Sequence, residues 1–160
     1  MDKKKIHQQF IARLQEDVDG ITDAAKKSFA MATDNEHKAE SKYDTFSLEA
    51  SYLARGQAQR VEELKASLER FEVLPLKEFE AGDPILLSAL VHLAADDGDD
   101  RYLFFGPSSG GLEIETEGKT VMVVTKQSPL GQAILGKCEG ESFEIKMGPF
   151  PESFKIVSVS

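Results

Sequence analysis

The chain has a single cysteine, Cys138, among its 160 residues, so it can form no internal disulfide and no cysteine-cluster zinc site. That usage suits a reducing, cytoplasmic compartment. No apolar run approaches the ~20 residues needed to span a bilayer, so no membrane partner is expected. The opening MDKKKIHQQF begins basic but passes into a polar amphipathic pattern, which argues against a secretory signal. A basic excess is missing as well. Net charge is −9; residues 1–75 hold 12 Lys/Arg against 14 Asp/Glu, and residues 76–160 hold 7 against 14. Such a chain offers no footprint for phosphate-driven binding, so direct sequence-specific contact with nucleic acid is not expected. Work near nucleic acid would go through a protein partner. There is no internal repeat and no low-complexity segment.

What is present is an ordinary globular mixture, 41% hydrophobic and 29% charged, long enough for one domain or two small ones. From Lys3 to Ala32 the apolar residues Ile6, Phe10, Leu14, Val18, Ile21, Ala25 and Phe29 recur every three or four positions, which predicts one face of a helix. Gly20 interrupts that stretch at ~1 kcal/mol relative to alanine, a local weak point or bend. A second helix is expected from about Thr45 to Phe71, with Ala50, Leu53, Val61, Leu64, Leu68 and Phe71 as its stripe. Two amphipathic helices joined by a short polar link bury their stripes on each other as an antiparallel hairpin. At ~1.5 Å per residue the first helix alone reaches ~45 Å, so the hairpin is expected to project as a rod.

Pro75, Gly82 and Pro84 end the helical texture. Short β-branched and aromatic runs follow: ILLSALVHLAA, RYLFFG, LEIETEG, KTVMVVT, SFEIKMG and SFKIVSVS. Between the fourth and fifth lies KQSPLGQAILGKCEGE, a short helical turn opened by Ser128-Pro129 and closed by Gly136. The expected organisation is a helical hairpin at 1–73, a linker at 74–81 and a small β domain at 82–160.

Chemistry-bearing residues are few. DDGDD (Asp96 to Asp100) lacks the spacing and closing glutamate of a calcium loop and reads as a hairpin turn. FGPSSGG (Phe105 to Gly111) has no phosphate-loop pattern. His92 sits in an apolar alternating run and reads as packed or partly exposed. His7 and His37 have no evident second partner, and nothing in the spacing activates Cys138. The densest stretch is MATDNEHKAESKYDTF at the turn of the hairpin, where Asp34, Glu36, Glu40 and Asp44 place four carboxylates within eleven residues. Such oxygens suit a hard cation. Taken alone, the stretch reads as a solvated loop in preference to a functional tip, with Thr33-x-x-Glu36 as a capping box and Asp44 or Thr45 as the N-cap of the second helix.

A helical hairpin followed by a β domain containing SPLGQAILGKCEGESFEI resembles the bacterial Gre-type transcription elongation (transcript-cleavage) factors. The hallmark is Ser-Pro, a short apolar turn, Leu/Ile-Gly-Lys, an acidic-Gly pair and a strand. Here it is Ser128-Pro129, Ala133 to Lys137 and Glu139-Gly140-Glu141. YLFFG at Tyr102 to Gly106, the closing SFKIVSVS, and LARGQAQRVEEL with Gly56 are similar to the family's strand end, last strand and return helix. The resemblance implies an α+β chain, an antiparallel coiled-coil hairpin followed by an FKBP-like β domain. It implies docking of that domain on RNA polymerase, with Ser128, Pro129, Gly136 and Lys137 as docking candidates, and entry of the hairpin into the secondary channel. Tip carboxylates from Asp34, Glu36, Glu40 and Asp44 would then approach the active centre and help hold a second Mg²⁺, shared with the polymerase, for hydrolysis of backtracked RNA. On this reading the factor has no catalytic residue and no tightly held metal of its own.

The tip match is partial. Glu40 stands at the family's glutamate, Tyr43 one residue early, and His37 where the family has its key aspartate. Gre relatives without the full acidic pair occupy the same channel as regulators or competitors, so a non-cleaving channel binder is an alternative to cleavage. A helical-hairpin adaptor for another protein is a further one. Peptidyl-prolyl isomerase activity is not supported, because a fold alone carries no activity.

Overall fold

A computed structural model describes residues 1–36, 44–96, 98–146 and 148–160, with 32–36 and 44–50 described through the backbone. Helix α1 spans Lys3–Glu36 and helix α2 spans Asp44–Glu72. The Asp2 carboxylate caps α1, accepting from the backbone amides of Lys4 at 2.9 Å and Lys5 at 3.3 Å. The predicted stripes are buried in part. Ile6, Phe10, Leu14 and Val18 on α1 and Val61, Leu68 and Phe71 on α2 are at most 8% exposed, whereas Phe29 is 65% and Leu53 59% exposed. Burial therefore falls from the start of α1 to Phe29, and from the end of α2 back to Leu53.

The chain divides into two compact units, residues 12–69 and residues 1–11 with 70–160. The first is the helix pair. In it Thr22 to Phe29 of α1 and Ser51 to Glu62 of α2 line one groove, which sets the two helices side by side.

The second unit is built on a six-stranded sheet: β1 Leu90–Ala95, β2 Arg101–Phe105, β3 Glu113–Thr116, β4 Lys119–Val124, β5 Ser142–Lys146 and β6 Pro151–Val159. Their order is β3-β4-β2-β1-β6-β5, with β2 and β4 parallel and every other neighbouring pair antiparallel. The α+β class expected from the sequence holds, since two long helices precede a mixed sheet. β1 and β2 pair as an antiparallel hairpin across DDGDD, with Leu93 opposite Arg101 and Gly98 at φ 90°, while Asp97 lies outside the described residues. Glu117 at φ 52° and Gly118 at φ 72° close the tight β3–β4 turn, both central residues being left-handed as such a hairpin requires.

One predicted strand is shorter than its apolar run. ILLSALVHLAA contributes β1 only from Leu90 onwards. The cause is Ser88, fully buried at φ 72°, whose amide donates to the Phe105 carbonyl at 2.9 Å while its hydroxyl accepts from the Lys77 amide at 2.9 Å. A left-handed residue pinned at both ends turns the chain where extended backbone was expected.

Alternation along the strands gives the sheet two apolar faces. Val91, Leu93, Leu103, Phe105, Phe154 and Ile156 point to a core completed by Leu130 and Ile134 of helix α3, Pro129–Ile134. Phe104 points the other way and meets the ends of the long helices. Its ring centroid lies 5.5 Å from Phe10, 6.1 Å from His7 and 6.2 Å from Phe71. His7, without an evident partner in the sequence, donates from Nε2 to the Phe71 carbonyl at 2.8 Å. That carbonyl belongs to the last turn of α2, where helices leave acceptors unpaired. The start of α1 thus meets the end of α2, the antiparallel sense expected for a hairpin.

Lys3 fastens the same corner. Its ammonium donates to the Lys77 carbonyl and lies 4.9 Å from the Phe79 ring centroid, with the Lys77 ammonium 4.8 Å from that ring. Burial pulls the Lys3 pKa below the usual lysine value, and the charge of Glu78 opposes the shift. Among the described residues no helix is long and apolar enough to cross a membrane.

Candidate functional site

Two regions carry the residues singled out in the sequence. Asp34 and Glu36 fall in the last turn of α1 and Asp44 opens α2. Glu40 and His37 lie outside the described residues. The capping-box account of Glu36 does not hold, because Thr33 to Glu36 continue α1 instead of opening a new helix. A capping box serves amides with no partner four residues back, and amides inside a running helix already have one.

The Ser128–Lys137 motif is described in full. Ser128 is the N-cap of α3, with extended backbone at φ −75° and ψ 146°. Its hydroxyl accepts from the Gly131 amide at 3.0 Å and donates to the Thr125 carbonyl at 2.9 Å. Pro129 follows in the first turn, where its missing N–H costs nothing and its fixed φ suits the helix. Gly131 is demanded by space. A Cβ there would lie 1.9 Å from the Thr125 carbonyl oxygen and 2.8 Å from the Ser128 hydroxyl. Gly136 turns the chain at φ 79°, a left-handed value. Its amide donates to the Ile85 carbonyl at 2.9 Å, and the Ile85 amide donates to the Lys137 carbonyl at 2.8 Å.

Ser128, Pro129 and Gly136 therefore have structural work that accounts for their identity. Lys137 is the member of that set with an outward role, its ammonium 3.7 Å from Glu141. Sequence reasoning passed over the apolar residues beside it. Leu135 is 44% exposed, and Leu86 and Leu87, next to the Ile85 pairing, are 40% and 44% exposed. Exposed leucine within an apolar run is the signal that could have marked them.

Replacing Gly131 with alanine forces either Thr125 or α3 to move. We expect Gly131→Ala to destabilise this unit by about 1–3 kcal/mol, the usual cost of overpacking, read as a shift in the urea unfolding midpoint. An unchanged midpoint would mean that the Ser128–Gly131 turn relaxes freely.

On the sheet, His92 behaves as a packed, partly exposed histidine. Its Nε2 is 2.8 Å from the Asp100 carboxylate, and its ring stacks on Tyr102 at 4.5 Å between centroids. Lys119 donates to the Tyr102 hydroxyl at 2.7 Å. Among the described residues no group of three or more His, Cys, Asp or Glu side chains could hold a metal ion.

No family model matches the chain. Among curated proteins, the transcription elongation factor GreA of Xanthomonas axonopodis pv. citri (strain 306) is 29% identical over 103 residues, which is 63% of this chain and 61% of that protein. GreA of Xylella fastidiosa (strain M12) is 28% identical over 102 residues, 62% of this chain and 60% of that one. The chain thus matches about three fifths of the length of these relatives. Among solved structures, GreA factor homolog 1 (Gfh1) of Thermus thermophilus is 18% identical over 94% of each chain at a TM-score of 0.41. A GreA/GreB factor from Nitrosomonas europaea is 23% identical over 62% of this chain and 78% of that chain at a TM-score of 0.38.

Proposed function

We propose that this chain, a relative of the Gre-type transcription elongation factors, binds RNA polymerase and regulates elongation by presenting its hairpin tip in the secondary channel. The observation that supports it most is the match to GreA proteins at 29% identity over 103 residues, by a chain whose own elements are two long helices followed by a small mixed sheet. The unit that contains the Ser128–Lys137 motif is the docking part. The tip, with Asp34, Glu36, Glu40 and Asp44, is the working part.

Carboxylate oxygens are the donors Mg²⁺ prefers, and one or two of them recruit an ion only when other ligands are already in place. Such a Mg²⁺ would polarise water or phosphoryl oxygen within the polymerase active centre. The chain's own task is then to deliver acidic side chains, and it acts as a factor with no catalytic residue of its own. Non-cleaving regulation in the same channel is the second reading, favoured by His37 in the place where the family has aspartate.

The test is to mix the chain with purified core RNA polymerase, follow co-migration, and then assay RNA cleavage on stalled complexes. Co-migration with cleavage supports the first reading. Co-migration with competition against a cleaving factor supports the second, and absence of binding removes both.

A further inference from the structure

We infer that the helix pair carries a built-in joint, at which residues 19–31 of α1 and 51–60 of α2 bend relative to residues 12–18 and 64–69. Three separate features coincide there. Each long helix has its one glycine in this region. Gly20 stands half a turn before the first groove residue of α1, Thr22, and Gly56 lies on the exposed side of α2 between the groove residues Arg55 and Ala58. Neither glycine is required by space or by conformation, since a Cβ at either position would meet nothing within 4 Å and neither has positive φ. A glycine that nothing forces is a place where the helix is kept weak.

Packing fails at the same level. Ala25, Ser51, Ala54 and Ala58 present small side chains across the interface and leave a groove of about 690 Å³ between the helices. Leu14 at 1% and Val18 at 6% exposure precede it on α1, while Phe29, which lines its far end, is 65% exposed. Polar pairing fails too. The Thr22 hydroxyl and the Gln57 side-chain carbonyl, one on each helix, are buried without a hydrogen-bond partner in the protein. A buried polar atom left unpaired favours any motion that wets it. Weak backbone, missing contacts and unpaired polar atoms at one level are the physical marks of a low-stability segment within a helix.

The joint is a property of the helix pair and stands apart from the polymerase reading. Its use is that a partner gripping the turn meets a segment that bends before the packed part of the pair is disturbed.

Hydrogen exchange on the full chain tests it. Gly20→Ala with Gly56→Ala restores helix propensity at both positions without a steric clash. Amides in 19–31 and 51–60 should then exchange about five- to twenty-five-fold slower, while those in 12–18 and 64–69 change less than about twofold. No slowing, or equal slowing throughout the pair, would overturn the joint. A distance measurement gives a second reading. In a Cys138→Ser background with spin labels at Ala12→Cys and Lys27→Cys, a straight helix separates the two positions by ~22 Å. The wild-type glycines should give a broad distribution reaching shorter distances, and the double alanine variant a narrow one. Narrow distributions in both would contradict the proposal.

Discussion

Asp34→Ala combined with Glu40→Ala should abolish stimulated cleavage of backtracked RNA while binding to RNA polymerase survives. The expected loss is on the order of 100-fold or more, the size seen when a preorganised charged group is removed from a reacting centre. The chemistry is specific to charge. A carboxylate brought to an active centre that already holds one metal lowers the cost of a second, whereas alanine supplies no ligand. Docking should persist because the Ser128–Lys137 motif belongs to residues 70–160, in the other compact unit from most of the hairpin. Gel electrophoresis of the RNA in stalled complexes reads cleavage, and co-migration reads binding. Cleavage retained in the double variant would remove the tip from the mechanism. Loss of binding along with cleavage would make the tip part of the dock.

Phe104→Ala should be the most damaging single change to folding. The side chain is fully buried, with three aromatic rings within 6.2 Å between centroids: Phe10, His7 and Phe71. Truncating a buried phenylalanine typically costs about 3–5 kcal/mol, comparable to the whole stability of a small domain. Here the cavity would open between β2 and both helix ends, so His7 would lose a tilted aromatic neighbour beside its hydrogen bond to Phe71. Equilibrium unfolding in urea, followed by circular dichroism, measures the loss. A cost below about 1 kcal/mol would mean that the helix ends are not fixed to the sheet through this ring.

Much of the architecture was legible because period and punctuation agree. Apolar spacing of three and four located both long helices, and each predicted strand run has its strand. DDGDD was readable as a turn because glycine and aspartate tolerate the conformations a turn needs. Ser128-Pro129 was readable as a helix start, and the structure gives the reason in the hydroxyl that accepts from Gly131.

What stayed hidden depends on contacts distant in sequence. His7 seemed partnerless because its acceptor, the Phe71 carbonyl, is 64 residues away. Ser88 sat unnoticed inside an apolar run, since nothing in its neighbours announces a buried left-handed turn fixed by Lys77 and Phe105. The capping-box reading of Thr33 and Glu36 failed for a related reason. A local motif cannot reveal whether the preceding helix has already ended, and α1 runs on to Glu36. For Asp34, Glu36, Glu40 and Asp44 the proposed role rests on residue type and on likeness to Gre-type factors. No spacing rule distinguishes four carboxylates on a solvated turn from four that serve a partner's active centre.

Binding to core RNA polymerase tests the central claim most directly. Purified chain and purified core enzyme, mixed at micromolar concentration and separated by native electrophoresis or sedimentation, should co-migrate as one complex. A competing channel-binding factor should displace the chain. If the two migrate separately at every concentration, the chain is not a polymerase factor, and its helices and tip serve some other partner.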